Sequence, residues 1–187
     1  MARYGRTDAV AAYAKKDYKS AAADIRQATS TLRLESGRAT GGAKQELDSS
    51  VAALDKLAAS VEGSTANEEK SMAKDFAKAN HALALEHRAK AAESLAHKAY
   101  DKAGYELKAS AQGLENAAGW VGGKAKTGAS ATVEGTRVLG DKLVSGATWT
   151  RDEVGKGFES LGKGIDALGR KLGGTKKAAP VDMGQHD

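Results

Sequence analysis

From Ile25 onward, small and apolar residues return every three or four positions: Ile25, Ala28, Leu32, Ser36, Ala39, Ala43, Leu47, Ser50, Leu54, Ala58 and Val61. That spacing draws one stripe along a helix. The stripe holds its phase across Gly37, Gly41 and Gly42, each of which costs about 1 kcal/mol relative to alanine inside a helix. Either one long helix with a slim waist or two helices meeting near 37–42 fits, and the unbroken phase favours the first. Ahead of it, residues 7–15 read as a short helix interrupted at Lys16-Asp17-Tyr18, where Asp17 is a good N-cap for the long stripe. Gly63-Ser64-Thr65 predicts a turn. Ser64 or Thr65 would cap the next helix, with Glu68 and Glu69 in its first turn, where the helix dipole favours acids. Met72, Phe76, Ala79, Leu85, Ala89, Ala92, Ala96, Ala99, Ala103, Leu107, Ala111, Leu114 and Ala118 then predict a second long helix over about 66–118. Helices of that length need packing along their whole span, and antiparallel pairing with the first is the simplest arrangement.

The texture changes at Gly119-Trp120-Val121-Gly122-Gly123, yet the apolar pattern sharpens beyond it, from Val144 and Ala147 to Leu172. Phe158, Ile165 and Leu172 recur at heptad position a, and Leu161 and Leu168 at d. Glycines 155, 157, 162, 164 and 169 stand on both flanks, at e and g. The pattern predicts an all-α, bundle-like protein: a long antiparallel helical hairpin over 1–122, a glycine-rich amphipathic helix over 123–174, and a flexible tail over 175–187.

Composition supports helices and thins the contacts between them. Leu, Ile, Val and Phe together make 28 of 187 residues, below the roughly 20% from which an ordinary core is built. Alanine, the best helix former, is the commonest residue, and there is one proline. The contacts should therefore be alanine-lined. With no cysteine, disulfides, thiolate metal sites and cysteine nucleophiles are excluded. No apolar run is long enough for a transmembrane helix. Met1–Arg6 has no apolar stretch of the signal-peptide kind, although a mature chain behind a new methionine would read the same. These features leave the compartment open between the cytoplasm and, for a mature chain whose signal peptide was removed, the periplasm. A net charge of +5 permits attraction to anionic surfaces without implying nucleic-acid binding.

The most specific candidate site is the glycine-flanked seam of Val154, Phe158, Leu161, Ile165, Leu168 and Leu172. Its five glycines cost roughly 5 kcal/mol relative to alanine, so the helix is marginal by itself and something must cover the seam. Three covers are open: the chain's own long helices, a partner helix or a lipid surface. Lys156, Lys163 and Arg170, all at f, would face water or headgroups. A second candidate is the ladder of Glu93, His97 and Asp101, at i,i+4 steps on one helix face, which with one more group could ligate a metal; an ordinary solvated ladder has the same spacing. Gly119–Lys124 superficially resembles a phosphate loop, but it is one residue short, has Ala125 where Ser or Thr is required, and follows no strand; helix termination with Trp120 as packing anchor explains it better. The tyrosines and Trp149 are scattered and read as packing residues. No serine has the motif context of a nucleophile, so no enzyme and no cofactor is expected.

Ala9 to Ala28 resembles the helix-turn-helix step of tetratricopeptide-type repeats, without recurring at 34 residues, and the helical half of YfdX-like bacterial envelope stress proteins. Residues 124–172 are similar in character to late-embryogenesis-abundant and apolipoprotein-type amphipathic helices. Both resemblances imply a non-enzymatic helical protein tied to stress or to surfaces. The counterpart expected for the seam is a protein partner, a second copy of the chain or a peripheral membrane surface.

Overall fold

The computed structural model describes residues 6–63 and 68–173. The proposed caps Ser64 and Thr65 and the tail over 175–187 lie outside them. Among the described residues seven helices follow one another: α1 (Arg6–Ala14), α2 (Tyr18–Arg38), α3 (Gly41–Glu62), α4 (Glu68–Ala96), α5 (Tyr100–Val121), α6 (Gly123–Ser145) and α7 (Arg151–Lys171). No strand occurs among the described residues, and no helix there is long and apolar enough to cross a membrane. The all-α, antiparallel, bundle-like class expected from the pattern is what the chain adopts. It divides into two compact units, residues 1–79 and 80–187, with the boundary inside α4.

In the first unit the antiparallel pair is α2 with α3. The single helix favoured over 25–61 is two helices. Ala39 and Thr40 are extended, with ψ of 156° and 166°, and Gly41 takes a φ of +57°, which suits a residue without Cβ. Asp17 caps α2 as expected, accepting from the Ser20 N–H at 3.1 Å. Arg26 reaches Glu62 at one end of the pair, Arg33 meets Asp55 at 2.8 Å further along, and Ser36 bonds Asp48 near the turn. These bonds are exposed or half-exposed and contribute little. The buried stripe of Ile25, Leu32, Leu47, Leu54, Leu57 and Val61 supplies most of the driving force, at roughly 1.5–3 kcal/mol for each large side chain.

The second unit is a four-helix bundle in which each helix runs antiparallel to the next. The continuous helix expected over 66–118 ends at Ala96 and restarts at Tyr100, with Lys98 left-handed at φ 57° between them. The Ser110 hydroxyl donates to the Ala84 carbonyl at 2.7 Å, joining α5 to α4. Lys108–Asp141 at 2.5 Å and Arg137–Glu115 at 2.7 Å join α5 to α6. Lys142 and Glu153 pair across α6 and α7, and the His81 contact with Ile165 returns α7 to α4. The glycine-rich stretch is likewise two helices and not one. Gly146 at φ +68° closes α6, and the Thr150 hydroxyl caps α7 by accepting from the Glu153 N–H at 3.1 Å. Backbones approach closely where side chains vanish: a Cβ on Gly104 would stand 2.5 Å from the Gly140 carbonyl oxygen.

The two units repeat one pattern at an ungapped offset of 82 residues, the step from Tyr18 to Tyr100. The offset carries α1 onto the end of α4, α2 onto α5, α3 onto α6 and the start of α4 onto the start of α7. Buried positions obey it: Ala21 and Ala103, Ile25 and Leu107, Leu32 and Leu114, Leu57 and Leu139, Val61 and Leu143, Met72 and Val154, Phe76 and Phe158. The chain is thus two copies of one helical module, and α4 is the last helix of the first copy and the first helix of the second.

Candidate functional site: the seam of α7

The apolar residues of α7 lie inside the second unit. Val154, Leu161 and Ile165 are fully buried, Phe158 and Leu168 nearly so, and Leu172 is half-buried against the same core. Their cover includes Leu107 and Leu114 of α5 and Val133, Leu139 and Leu143 of α6. In the folded chain, therefore, the seam is lined by the chain's own helices. Val144, which precedes this seam in the sequence pattern, belongs to α6.

The flanking glycines explain how α7 fits. Positions Gly157 and Gly164 face α5 and α6: a Cβ at Gly157 would collide with the Leu139 side chain, and one at Gly164 would sit 3.1 Å from Leu114 and Thr132. Gly162 and Gly169 face α4, where Arg88 and His81 occupy the space, 3.1 and 2.9 Å from where a Cβ would be. His81 Nε2 lies 3.0 Å from the Ile165 carbonyl oxygen. The carbonyl can only accept, so Nε2 carries a proton. Arg88 points its Nε at the Phe158 carbonyl, 3.4 Å away, with the guanidinium 5.9 Å from the Phe158 ring centroid. Burial lowers the Arg88 pKa while the Asp166 charge raises it, with a net fall; the guanidinium stays charged. Thus two polar side chains seven residues apart on α4 grip two carbonyls seven residues apart on α7, each beside a glycine four residues further along. Periodicity alone assigns these two residues no role. The matching seven-residue spacings are the signal that could have found them.

A second polar join holds α5 to α4. His87 Nδ1 is 2.7 Å from Glu106 Oε2, and both are largely buried. Burial raises the Glu106 pKa, but the His87 hydrogen bond and the charges of His87, Lys90 and Lys102 outweigh it, leaving the carboxyl below the usual range. A depressed carboxyl stabilises the fold above its unfolded pKa, near 4.3, and that contribution is lost as pH falls through the folded value. Between about pH 5 and 3 the melting temperature of the parent should therefore drop more steeply than that of Glu106→Gln, which should start lower at pH 7. Thermal melts of both proteins across that range check this, and equal slopes would mean that the pair adds nothing to the fold.

The Glu93, His97 and Asp101 ladder does not form. Glu93 is on α4, His97 lies in the turn after it, and Asp101 is in the first turn of α5. The left-handed Lys98 breaks the helical register that would align them. Among the described residues, no group of three His, Cys, Asp or Glu could hold a metal. At Gly119–Lys124, α5 ends and α6 begins through Gly122 and Gly123, at φ +74° and +47°, so the motif is a helix junction. No family model, curated protein or solved structure matches this chain.

Proposed function

We propose that this chain is a non-catalytic helical structural or interaction protein, associated with stress or with a surface, and that α7 is its working element. One observation carries the reading: a single helix combines a continuous apolar seam with five glycines along its flanks. Such a helix owes its order to whatever covers the seam. In the closed bundle the cover is α4, α5 and α6; another helix or a lipid surface offers the same apolar environment. The resemblances to amphipathic stress and lipid-associated helices support the same direction. The ionisable groups His81, Arg88, His87 and Glu106 are engaged in joining helices, which fits a scaffold better than a reaction centre.

Hydrogen exchange tests this. In the free protein the α7 amides should exchange ahead of those of α5. On adding phosphatidylglycerol vesicles, or on raising protein concentration, α7 should gain protection while the faces of α4, α5 and α6 that cover it lose protection. If α7 exchanges together with α5, and neither vesicles nor concentration changes it, α7 is a permanent core helix and the reading is wrong.

A further inference from the structure

The turn between α2 and α3 interrupts a helix without interrupting its pattern. Ile25, Leu32, Ser36, Ala39, Leu47, Ser50, Leu54 and Val61 are buried, and they keep to one helical stripe straight through the reversal. The reversal itself takes two residues, Ala39 and Thr40, between Arg38 and Gly41. Ala39 N–H bonds the Ser36 carbonyl at 3.2 Å and Lys44 N–H the Thr40 carbonyl at 3.3 Å. Thr40, the N-cap of α3, makes no side-chain capping bond, unlike Asp17 and Thr150 at the starts of α2 and α7. The corresponding turn of the second unit is built on two left-handed glycines, Gly122 and Gly123, and this one on Gly41 alone. Short turns of this kind invite two copies of a chain to exchange the elements that the turn connects.

The register of the pair is symmetric about the turn. Arg26 and Glu62 stand equally far from Lys44 along the chain, and so do Arg33 and Asp55. Arg26 and Glu62 are 36 positions apart, and Arg33 and Asp55 are 22. These are about ten and six turns at 3.6 residues each, so one straight helix would carry all four side chains on a single face. Two such helices laid antiparallel, crossing at Gly42-Ala43-Lys44, would make each ion pair twice and bury the same stripe. Lys44 meets its counterpart there already paired with Asp48 of its own helix, at 3.2 Å.

The helix that receives α2 is also selected. Within the module repeat α6 is the equivalent of α3, but the ion pair has its charges reversed: Arg33–Asp55 in the first unit, Glu115–Arg137 in the second, at 2.8 and 2.7 Å. On α6, Arg33 would face Arg137. Like charges set against a wrong partner give specificity even where the right pair adds little stability. The fitting partner is therefore α3, from the same chain or from a second copy.

We propose that two copies of this chain exchange halves of the first unit. In each, α2 and α3 join into one straight helix, and α1 and α2 of one chain pack with α3 and the start of α4 of the other. The exchange leaves α7 in its bundle and is independent of the role given to it above.

Two neighbouring glycines test this in opposite directions. Gly41→Ala strains the hairpin, because a methyl group is disfavoured at φ +57°, and it strengthens a continuous helix. Both effects act in each of two chains, so Gly41→Ala should tighten dimerisation by roughly a hundredfold or more. Gly42 lies in the first turn of α3 with open space where a Cβ would be. Proline is tolerated there in the hairpin but breaks a helix that runs through it, so Gly41→Ala/Gly42→Pro should return to monomer. Size-exclusion chromatography with light scattering, after refolding at high protein concentration, reads both. The chain has no cysteine, so Arg26→Cys/Glu62→Cys treated with a short bismaleimide reports which chain each partner belongs to. In the Gly41→Ala background the dimer should be linked between chains and the monomer within one. A Gly41→Ala protein that stays monomeric, a dimer linked only within single chains, or a dimer that survives Gly42→Pro would each overturn the proposal. Links confined to single chains are also what association through α7 would give, so the two readings are told apart.

Discussion

Leu107→Asp should abolish the ordered second unit. Leu107 is fully buried near the middle of α5, in the cluster that includes Phe158, Leu161 and Ile165. The substitution removes a large apolar side chain, at about 2–5 kcal/mol, and places a carboxylate among apolar side chains, which adds several kcal/mol more. Against a total stability of roughly 5–15 kcal/mol, that is decisive. Leu54, 1% exposed in α3, should behave the same way in the first unit. Circular dichroism melts combined with residue-resolved exchange would report both, because Leu54→Asp should remove protection within residues 6–63 and Leu107→Asp within 80–173. Variants that melt like the parent would mean that these stripes do not face the cores described.

Adding one methyl group should have opposite signs at two glycines. Gly155 is a helical residue with nothing near the position of a Cβ, so Gly155→Ala should stabilise by about 0.5–1 kcal/mol through helix propensity alone. At Gly104 the same methyl would stand 2.5 Å from the Gly140 carbonyl oxygen and 2.8 Å from a Val144 methyl. The carbonyl belongs to the α6 backbone and cannot swing aside, so Gly104→Ala should push α5 from α6 and cost about 1–3 kcal/mol. The first module has alanine at both equivalent positions, Ala22 and Ala58, so the closest helix contact is particular to the second. Denaturant titrations of the two variants would decide it. If Gly104→Ala were as stable as the parent, the α5–α6 contact would be looser than the distances state.

Leu54 and Leu107 also show what a linear reading reaches. Periodicity finds them because burial imposes it directly. It also places Val154, Phe158, Leu161, Ile165 and Leu168 on one face. Helix ends are harder. The stripe runs through Ala39 and Ala99, which continue its phase although neither is helical, so an unbroken apolar rhythm hides two chain reversals. Gly41 offers a signal at the first. Lys98 offers none, because the left-handed residue at that cap is the one where glycine is looked for. The module repeat is present in the letters but diluted: its core exchanges Ile25 for Leu107 and Met72 for Val154, so apolar character persists where identity does not. The grip of His81 and Arg88 on α7 depends on two helices meeting, and spacing within either helix alone does not reveal it.

The bond from His81 to Ile165 joins residues 84 positions apart, whereas α2 with α3 and α5 with α6 close through turns of a few residues. Chain-closure entropy grows with the length of chain enclosed, and local contacts form earliest. Folding of the second unit should therefore begin with its adjacent helix pairs and finish when α7 arrives against α4. Mutations on that last face would then chiefly accelerate unfolding and leave the refolding rate nearly unchanged.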